Sequence, residues 1–166
     1  MNDFERALTF CLKWEGGDKI TDDPNDPGGL TKFGVSQRAY PNEDIRKLTR
    51  ARAAFLYRRD YWDKGRCQDF PSPIGIVHFD CAVNTGIVRA NKILQKACGV
   101  TDDGVIGKAT ITAIAGKNAL VLAEDAIHGR ELFYRSLANQ SPAMVRYLVG
   151  WLNRCADLRK TIEDSG

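Results

Sequence analysis

The sequence contains no apolar run approaching the roughly 20 residues that span a bilayer, which excludes stable membrane insertion by a helix as a reading. It also has no Cys-x-x-Cys pair. Its five cysteines, Cys11, Cys67, Cys81, Cys98 and Cys155, are scattered and odd in number, which argues against a disulfide framework or a thiolate metal site. Cys11, Cys81 and Cys155 fall on apolar helical faces, where a thiol behaves as a small hydrophobe. All five read as reduced and structural, as in a protein made in a reducing cytoplasm. The N-terminus is amphipathic and carries Asp3, Glu5 and Arg6, so no signal peptide is expected. Internal repeats, low-complexity tracts and blocks of like charge are missing too. The formal charge of +3 is mildly basic. It favours an anionic polymer as partner, though most proteins use such a charge for solubility alone, and no nucleic-acid partner is expected.

What is present suits one globule. At 166 residues, 43% hydrophobic and 27% charged, the chain can bury a core without metal or disulfide staples. Helix signals dominate. The first helix is predicted from Asn2 or Asp3 to Glu15, where Gly16-Gly17 stops it. Thr49 can cap a helix running to about Trp62. Ser72-Pro73 reads as a cap followed by proline at the first helical position. The helix it opens, Ile74 to about Thr85, is apolar nearly all round and therefore central. Further helices are predicted over 87–98, 107–115, 118–138 and 142–162, the last opened by Ser141-Pro142. Segment 35–48 is expected to hold a short helix broken at Pro41 and a second from Asn42. The predicted fold class is all-α, with at most a small β-hairpin in the glycine- and proline-rich loop 16–34.

That loop and the residue before it carry the chemistry. Phe4, Ala7, Leu8 and Cys11 mark one helical face, and four residues further on the same face stands Glu15. Desolvation and the negative end of the helix both disfavour an ionised carboxylate there, so its pKa is expected to rise, as suits a general acid. Asp22, Asp23, Asp26 and Thr31 follow within reach. Glycoside hydrolysis needs an acid for the leaving oxygen and a second group to place water or stabilise the cation. Glu15 fits the first role, and Asp26 or Thr31 the second. A calcium loop starting at Asp23 fails, because Pro27 and Gly34 would occupy two ligand positions. A plain structural turn, with Asp26-Pro27-Gly28-Gly29 as punctuation, is the competing reading.

The central helix bears three polar residues to explain. Asp80 reads as a buried carboxylate paired with an arginine. His78 and Cys81 stand three apart, but a nucleophilic thiol needs an electropositive, partly open niche that an apolar central helix does not offer. Asn84, at the helix end before Gly86, reads either as a cap or as a cleft amide. Among Tyr57, Tyr61 and Trp62, helical aromatics more often serve the core, and one of Tyr61 or Trp62 is assigned to a cleft.

These residues carry a resemblance. Glu15-Gly16-Gly17, then Pro24-x-Asp26-Pro27-Gly28-Gly29-x-Thr31-x-x-Gly34-Val35, resembles the signature of the glycoside hydrolase 108 family. Tyr57-x-x-x-Tyr61-Trp62 and Phe79-Asp80-x-x-Val83-Asn84-x-Gly86 are similar to two further family elements. Leu94-Gln95, Gly99-Val100 and Asp103-Gly104-Val105-Ile106-Gly107-x-x-Thr110 are similar to its companion peptidoglycan domain, and Gly150-Trp151-Leu152-Asn153-Arg154 fits as well. The resemblance implies a lysozyme-like N-acetylmuramidase, of the kind found as phage and prophage endolysins or described as secretion activators. It implies Glu15 as catalytic acid, a cleft role for the Asp26–Thr31 stretch, and Asn84 as a cleft asparagine. Residues 1–88 would form the hydrolase region and 89–166 the peptidoglycan-binding region, packed as one globule. Two departures stand out. Phage lysozymes space their Glu, Asp and Thr differently from Glu15, Asp26 and Thr31, and Asp18 replaces a usual aromatic. The expected partner is bacterial peptidoglycan, reached by a monomer from the bacterial cytoplasm with a holin or export helper, for action in the periplasm or wall. No cofactor or metal is implied. The rival readings are a peptidoglycan-binding secretion accessory without catalysis, and a transglycosylase or chitinase-like glycosidase.

Overall fold

The protein, seen in a computed structural model, is described over residues 1–22 and 28–163. The described residues contain seven α-helices, two 3₁₀ turns, one π turn and one small sheet. Helix α1 spans Asp3–Trp14. Asn2 and Glu5 close a reciprocal capping box at its start, each bond 2.9 Å long. Its apolar stripe buries Phe4, Ala7, Leu8 and Cys11, and the helix ends at Glu15, whose N–H donates to the Cys11 carbonyl at 3.0 Å.

The sheet is antiparallel, in the order β1 (Ile20–Thr21), β2 (Thr31–Lys32), β3 (Val35–Ser36). The β2–β3 turn is a two-residue loop, Phe33-Gly34, with both φ angles positive at 53° and 73°. That is the twist a tight hairpin requires. The small β element is therefore present, but its third strand lies beyond residue 34. The helix expected around Pro41 and Asn42 is absent: residues 37–44 are turns, and only a 3₁₀ turn at Ile45–Lys47 follows. Gln37 explains this locally, since its side-chain amide donates to the carbonyls of Tyr40, Pro41 and Glu43 and so holds a non-helical loop.

Thr49 caps α2 (Arg50–Tyr57), and a wide π turn at Arg58–Asp63 extends it to the predicted end. Ser72 does not cap α3 (Ile74–Thr85). Pro73 holds the cap position instead, joined to Ser72 by a cis peptide bond. Helix α3 is central as expected, packing on α1, α4 (Ile87–Cys98) and α6 (Ala119–Gln140). Around it Phe4 meets Trp62 and Phe79 edge to face at 5.4 and 6.0 Å, and Trp62 lies tilted against Phe79 at 5.7 Å. The turn before α5 (Lys108–Ala115) is clasped by α4. Gln95 accepts from the Gly104 N–H at 2.8 Å and donates to Asp103 at 2.7 Å, while Asn91 donates to the Gly104 carbonyl. Helices α6 and α7 (Pro142–Glu163) pack together through Arg159, which pairs with Glu124 and Glu131. One apolar core runs through residues of both the N-terminal and C-terminal halves. No helix among the described residues is long and apolar enough to cross a membrane.

Candidate active site

Two left-handed glycines, Gly16 and Gly17, turn the chain away from α1 directly after Glu15. The Gly17 carbonyl then accepts from the Phe33 N–H at 2.9 Å, which pulls the β2–β3 hairpin over the helix end. Gly34 is the point of contact. A Cβ built there would collide with the Tyr57 hydroxyl and lie 2.8 Å from Glu15 Cβ, so only glycine fits. The Tyr57 hydroxyl itself donates to the Phe33 carbonyl at 3.0 Å. The result is a pocket of about 70 Å³ lined by Glu15, Gly34, Tyr40, Tyr57, Tyr61 and Val83. Among the described residues Glu15 is the sole carboxylate in that lining. A wider bay of about 500 Å³ adjoins it, sharing Tyr40 and Tyr61 as a wall and adding Asn42, Glu43, Arg59 and Asp60.

Behind Glu15 lies a polar chain that crosses the core. Arg154 of α7 donates to Glu15 Oε1 at 2.7 Å and to Asp80 Oδ1 at 2.6 Å. Arg130 of α6 donates to Asp80 Oδ2 and to the Tyr134 hydroxyl, both at 2.7 Å. Tyr134 in turn donates to the Asn84 side-chain oxygen. Glu15 and Asn84 are thus the two ends of one continuous path, Glu15–Arg154–Asp80–Arg130–Tyr134–Asn84. Asp80 is fully buried. Burial alone would disfavour its charge, but the two guanidiniums outweigh burial and hold its carboxyl below the usual range. The expected arginine partner of Asp80 is therefore two arginines.

The other predicted site residues separate. Thr31 lies half-buried in β2, its hydroxyl donating to the Gly29 carbonyl at 3.0 Å. Asp26 lies outside the described residues, as does Asp23, and Asp22 points away to an exposed ion pair with Arg46 at 2.9 Å. Asn84 is half-buried and binds Tyr134 rather than capping α3. Trp62 is only 4% exposed and belongs to the aromatic core, which leaves Tyr61 as the one of that pair at the pocket. Burial raises the Tyr61 hydroxyl above its ordinary pKa, so it stays a neutral donor. His78 is buried against Phe70, and Cys81 is a buried thiol that desolvation pushes up, so neither is set up as a nucleophile or base. Among the described residues no group of three His, Cys, Asp or Glu side chains is arranged to hold a metal.

Sequence reasoning missed Arg130, Tyr134 and Tyr40, and it gave Arg154 no role. The available signal for the first pair was their i, i+4 spacing on α6, beside an Asp that demanded a buried cation. Tyr40 lines the pocket because its hydroxyl donates to Asp60 at 3.1 Å across the bay. Arg59, Lys64 and Tyr40 together satisfy Asp60, with the Arg59 bond the strongest influence, and hold its carboxyl below the usual range.

A pocket carboxylate gripped by one arginine, walled by tyrosines and opening to a polar bay, suits a glycoside hydrolase. The comparisons with known proteins place it further. The model of the family described as Glycosyl hydrolase 108 matches residues 8–86, and that of the Predicted Peptidoglycan domain matches residues 89–156. Residues 8–86 are thus similar to glycosyl hydrolase 108 domains and residues 89–156 to a peptidoglycan domain, which together support a glycoside hydrolase with peptidoglycan as substrate or partner. No curated protein gives a match. Among solved structures the chain is similar to that of Brucella abortus SagA, with a TM-score of 0.82 and 28% identity over 97% of this chain and 94% of that one.

Proposed function

We propose that this glycosyl hydrolase is a lysozyme-type N-acetylmuramidase. It hydrolyses the β-1,4 bond between N-acetylmuramic acid and N-acetylglucosamine, with Glu15 as the general acid. The observation that carries this reading is the placement of Glu15 as the one acid among the described residues that lines a small pocket, one oxygen held by Arg154. An unprotonated sugar oxygen is a poor leaving group, so a proton must reach it as the C–O bond breaks and the ring gains oxocarbenium character. With Oε1 tethered, the proton is delivered from Oε2. Thr31 spends its own proton on the Gly29 carbonyl and keeps lone pairs to accept from an attacking water. Asp26 is the candidate for a second carboxylate. Neutral Tyr61 and Tyr40 supply hydroxyls for the sugar at the mouth of the bay. The enzyme so read works on the cell wall, outside the inner membrane.

The test is Glu15→Gln, assayed by release of muropeptides from purified wall. The amide keeps the shape and cannot deliver a proton, so the rate should fall about 10²- to 10⁴-fold with an unchanged circular dichroism spectrum. Mass spectrometry of the wild-type products should show reducing muramic ends. Anhydro-muramic ends would make the enzyme a transglycosylase instead, and full activity in Glu15→Gln would remove Glu15 from the mechanism.

A further inference from the structure

The bay beside the acid pocket carries a charge pattern that bond cleavage alone does not require. Among the described residues its lining holds two carboxylates and one cation, Glu43, Asp60 and Arg59. Both carboxylates are already matched. Arg52 binds Glu43 through two bonds of 3.1 and 2.7 Å, while Arg59 and Lys64 share Asp60. Three cations against two carboxylates leave one positive charge around the bay, and Arg59 is the cation that reaches its lining.

A guanidinium is a planar fork with two edges, each able to bind a carboxylate through a pair of parallel bonds. The Nε–Nη2 edge of Arg59 is taken up by Asp60, at 3.0 Å to Oδ1 and 2.6 Å to Oδ2. Asp60 is itself fixed by Lys64 at 2.8 Å and by the Tyr40 hydroxyl at 3.1 Å, so the plane of the fork is set. Nη1 donates to nothing among the described residues, and the Arg59 side chain is 49% exposed. The Nη1–Nη2 edge is therefore charged, oriented in advance and unused. The bay shares Tyr40 and Tyr61 with the Glu15 pocket, so a group that fills it lies next to the bond being broken. In a wall glycan the anionic group nearest that bond is the side group of the muramyl ring. It is a lactyl carboxylate when bare, or a stem peptide with carboxylates of its own; chitin has neither. We propose that Arg59 is a specificity residue whose Nη1–Nη2 edge takes a carboxylate of the muramyl side group in the bay. It thereby favours wall glycan over a neutral β-1,4 glycan. This rests on the muramidase reading for the reaction, and on the bay for the contact.

The experiment compares wall glycan before and after its carboxylates are capped as neutral methylamides by carbodiimide and methylamine. Two forms are used, chains with their stem peptides and chains stripped to bare lactyl groups by an amidase. New reducing ends give kcat/KM, and retention is read separately in Glu15→Gln, which does not cut. The parent should prefer the carboxylate form about ten- to hundredfold. Arg59→Gln should bring kcat/KM and retention on that form down to the level of capped glycan, and should leave capped glycan unaffected. Arg59→Lys keeps the charge without the fork and should lose most of the preference. Lys64→Gln removes an equal charge from the same Asp60 outside the lining, and should keep it. A preference on stripped chains assigns the lactyl carboxylate, and one seen only with peptides attached assigns the stem. Equal handling of both forms by the parent overturns the proposal and leaves the Glu15 assignment standing. So does an equal loss on both forms in Arg59→Gln, which would make Arg59 a support for Asp60, or loss of the preference in Lys64→Gln, which would make it an effect of net charge. Carboxylate-dependent retention that Arg59→Gln removes, with no reducing ends from any substrate, would instead sink the muramidase reading alone.

Discussion

Glu15 is fixed by three neighbours of different kinds: its own helix through the N–H to Cys11, Arg154 on one carboxylate oxygen, and the backbone of Gly34 against its stem. The last of these is open to direct test. Gly34→Ala must both hold a non-glycine residue at φ +73° and displace the Tyr57 hydroxyl and Glu15. The backbone strain alone costs about 1–3 kcal/mol, and the pocket should lose activity as well. Gly16→Ala is the control. Its φ is +83°, but nothing lies within 4 Å of the added carbon, so it should lower the melting temperature without a matching loss of rate. Equal activity loss in the two variants would mean that the hairpin does not position Glu15. At this scale the position of Glu15 at the helix end was readable because its evidence is local, a four-residue step along one stripe and two glycines after it. Arg154 was not, since it pairs across 139 residues of sequence and no periodicity encodes such a partner. The reading that placed Glu15 against apolar surface alone missed that cation.

Helix α3 organises the elements, and Asp80 is the reason its burial holds them in one arrangement. Its carboxylate receives Arg130 from α6 and Arg154 from α7, and Arg154 reaches on to the end of α1. Residues 8–86 and 89–156 therefore share one charge cluster: the first segment lines the pocket, and the second holds Glu15 in it through Arg154. A second tie joins α1 to α7, where Asp157 accepts from Lys13 and from the Trp14 indole. Removing one partner of a buried ion pair leaves the others desolvated and uncompensated. Asp80→Asn should accordingly cost about 3–5 kcal/mol in urea unfolding, far more than the loss of any exposed pair such as Arg46–Asp22. A cost below about 1 kcal/mol would show that the cluster contributes position but not stability. Element identity was largely legible, because long amphipathic stripes and the apolar α3 follow from periodicity. Segment 35–48 was misread for a physical reason: Gln37 binds three carbonyls through its side chain, and such a side-chain clamp has no repeat to detect. The third strand followed from Phe33-Gly34, where a non-glycine residue accepts a positive φ to close the hairpin.

For the molecule as a whole, the response to acid should come in two stages, and His78 sets the first. Its ring is buried against Phe70, and neither Nε2 nor the neighbouring Asn91 Oδ1 makes a well-formed hydrogen bond among the described residues. Burial dominates and pushes its pKa from the ordinary 6.5 down to about 4, with Asn91 and the Gly65 backbone opposing only weakly. The folded protein therefore keeps His78 neutral where the unfolded chain would protonate it. Stability from this group is complete above about pH 6.5 and is lost as pH falls toward 4, because the unfolded state binds the extra proton. A shift of that size corresponds to about 3 kcal/mol across the window. The carboxylates act later. Asp80, Asp157 and Glu131 are all held below their ordinary range by cationic partners, so their contribution is lost only at pH values below that range. Urea-unfolding free energy measured from neutral pH downward should thus decline first between about 6.5 and 4, and then again more steeply. In His78→Gln the first decline should flatten, whatever the variant's absolute stability, while the second persists. If the first decline survives that substitution unchanged, the group responsible is a carboxylate and His78 is not the acid-sensitive point of the core.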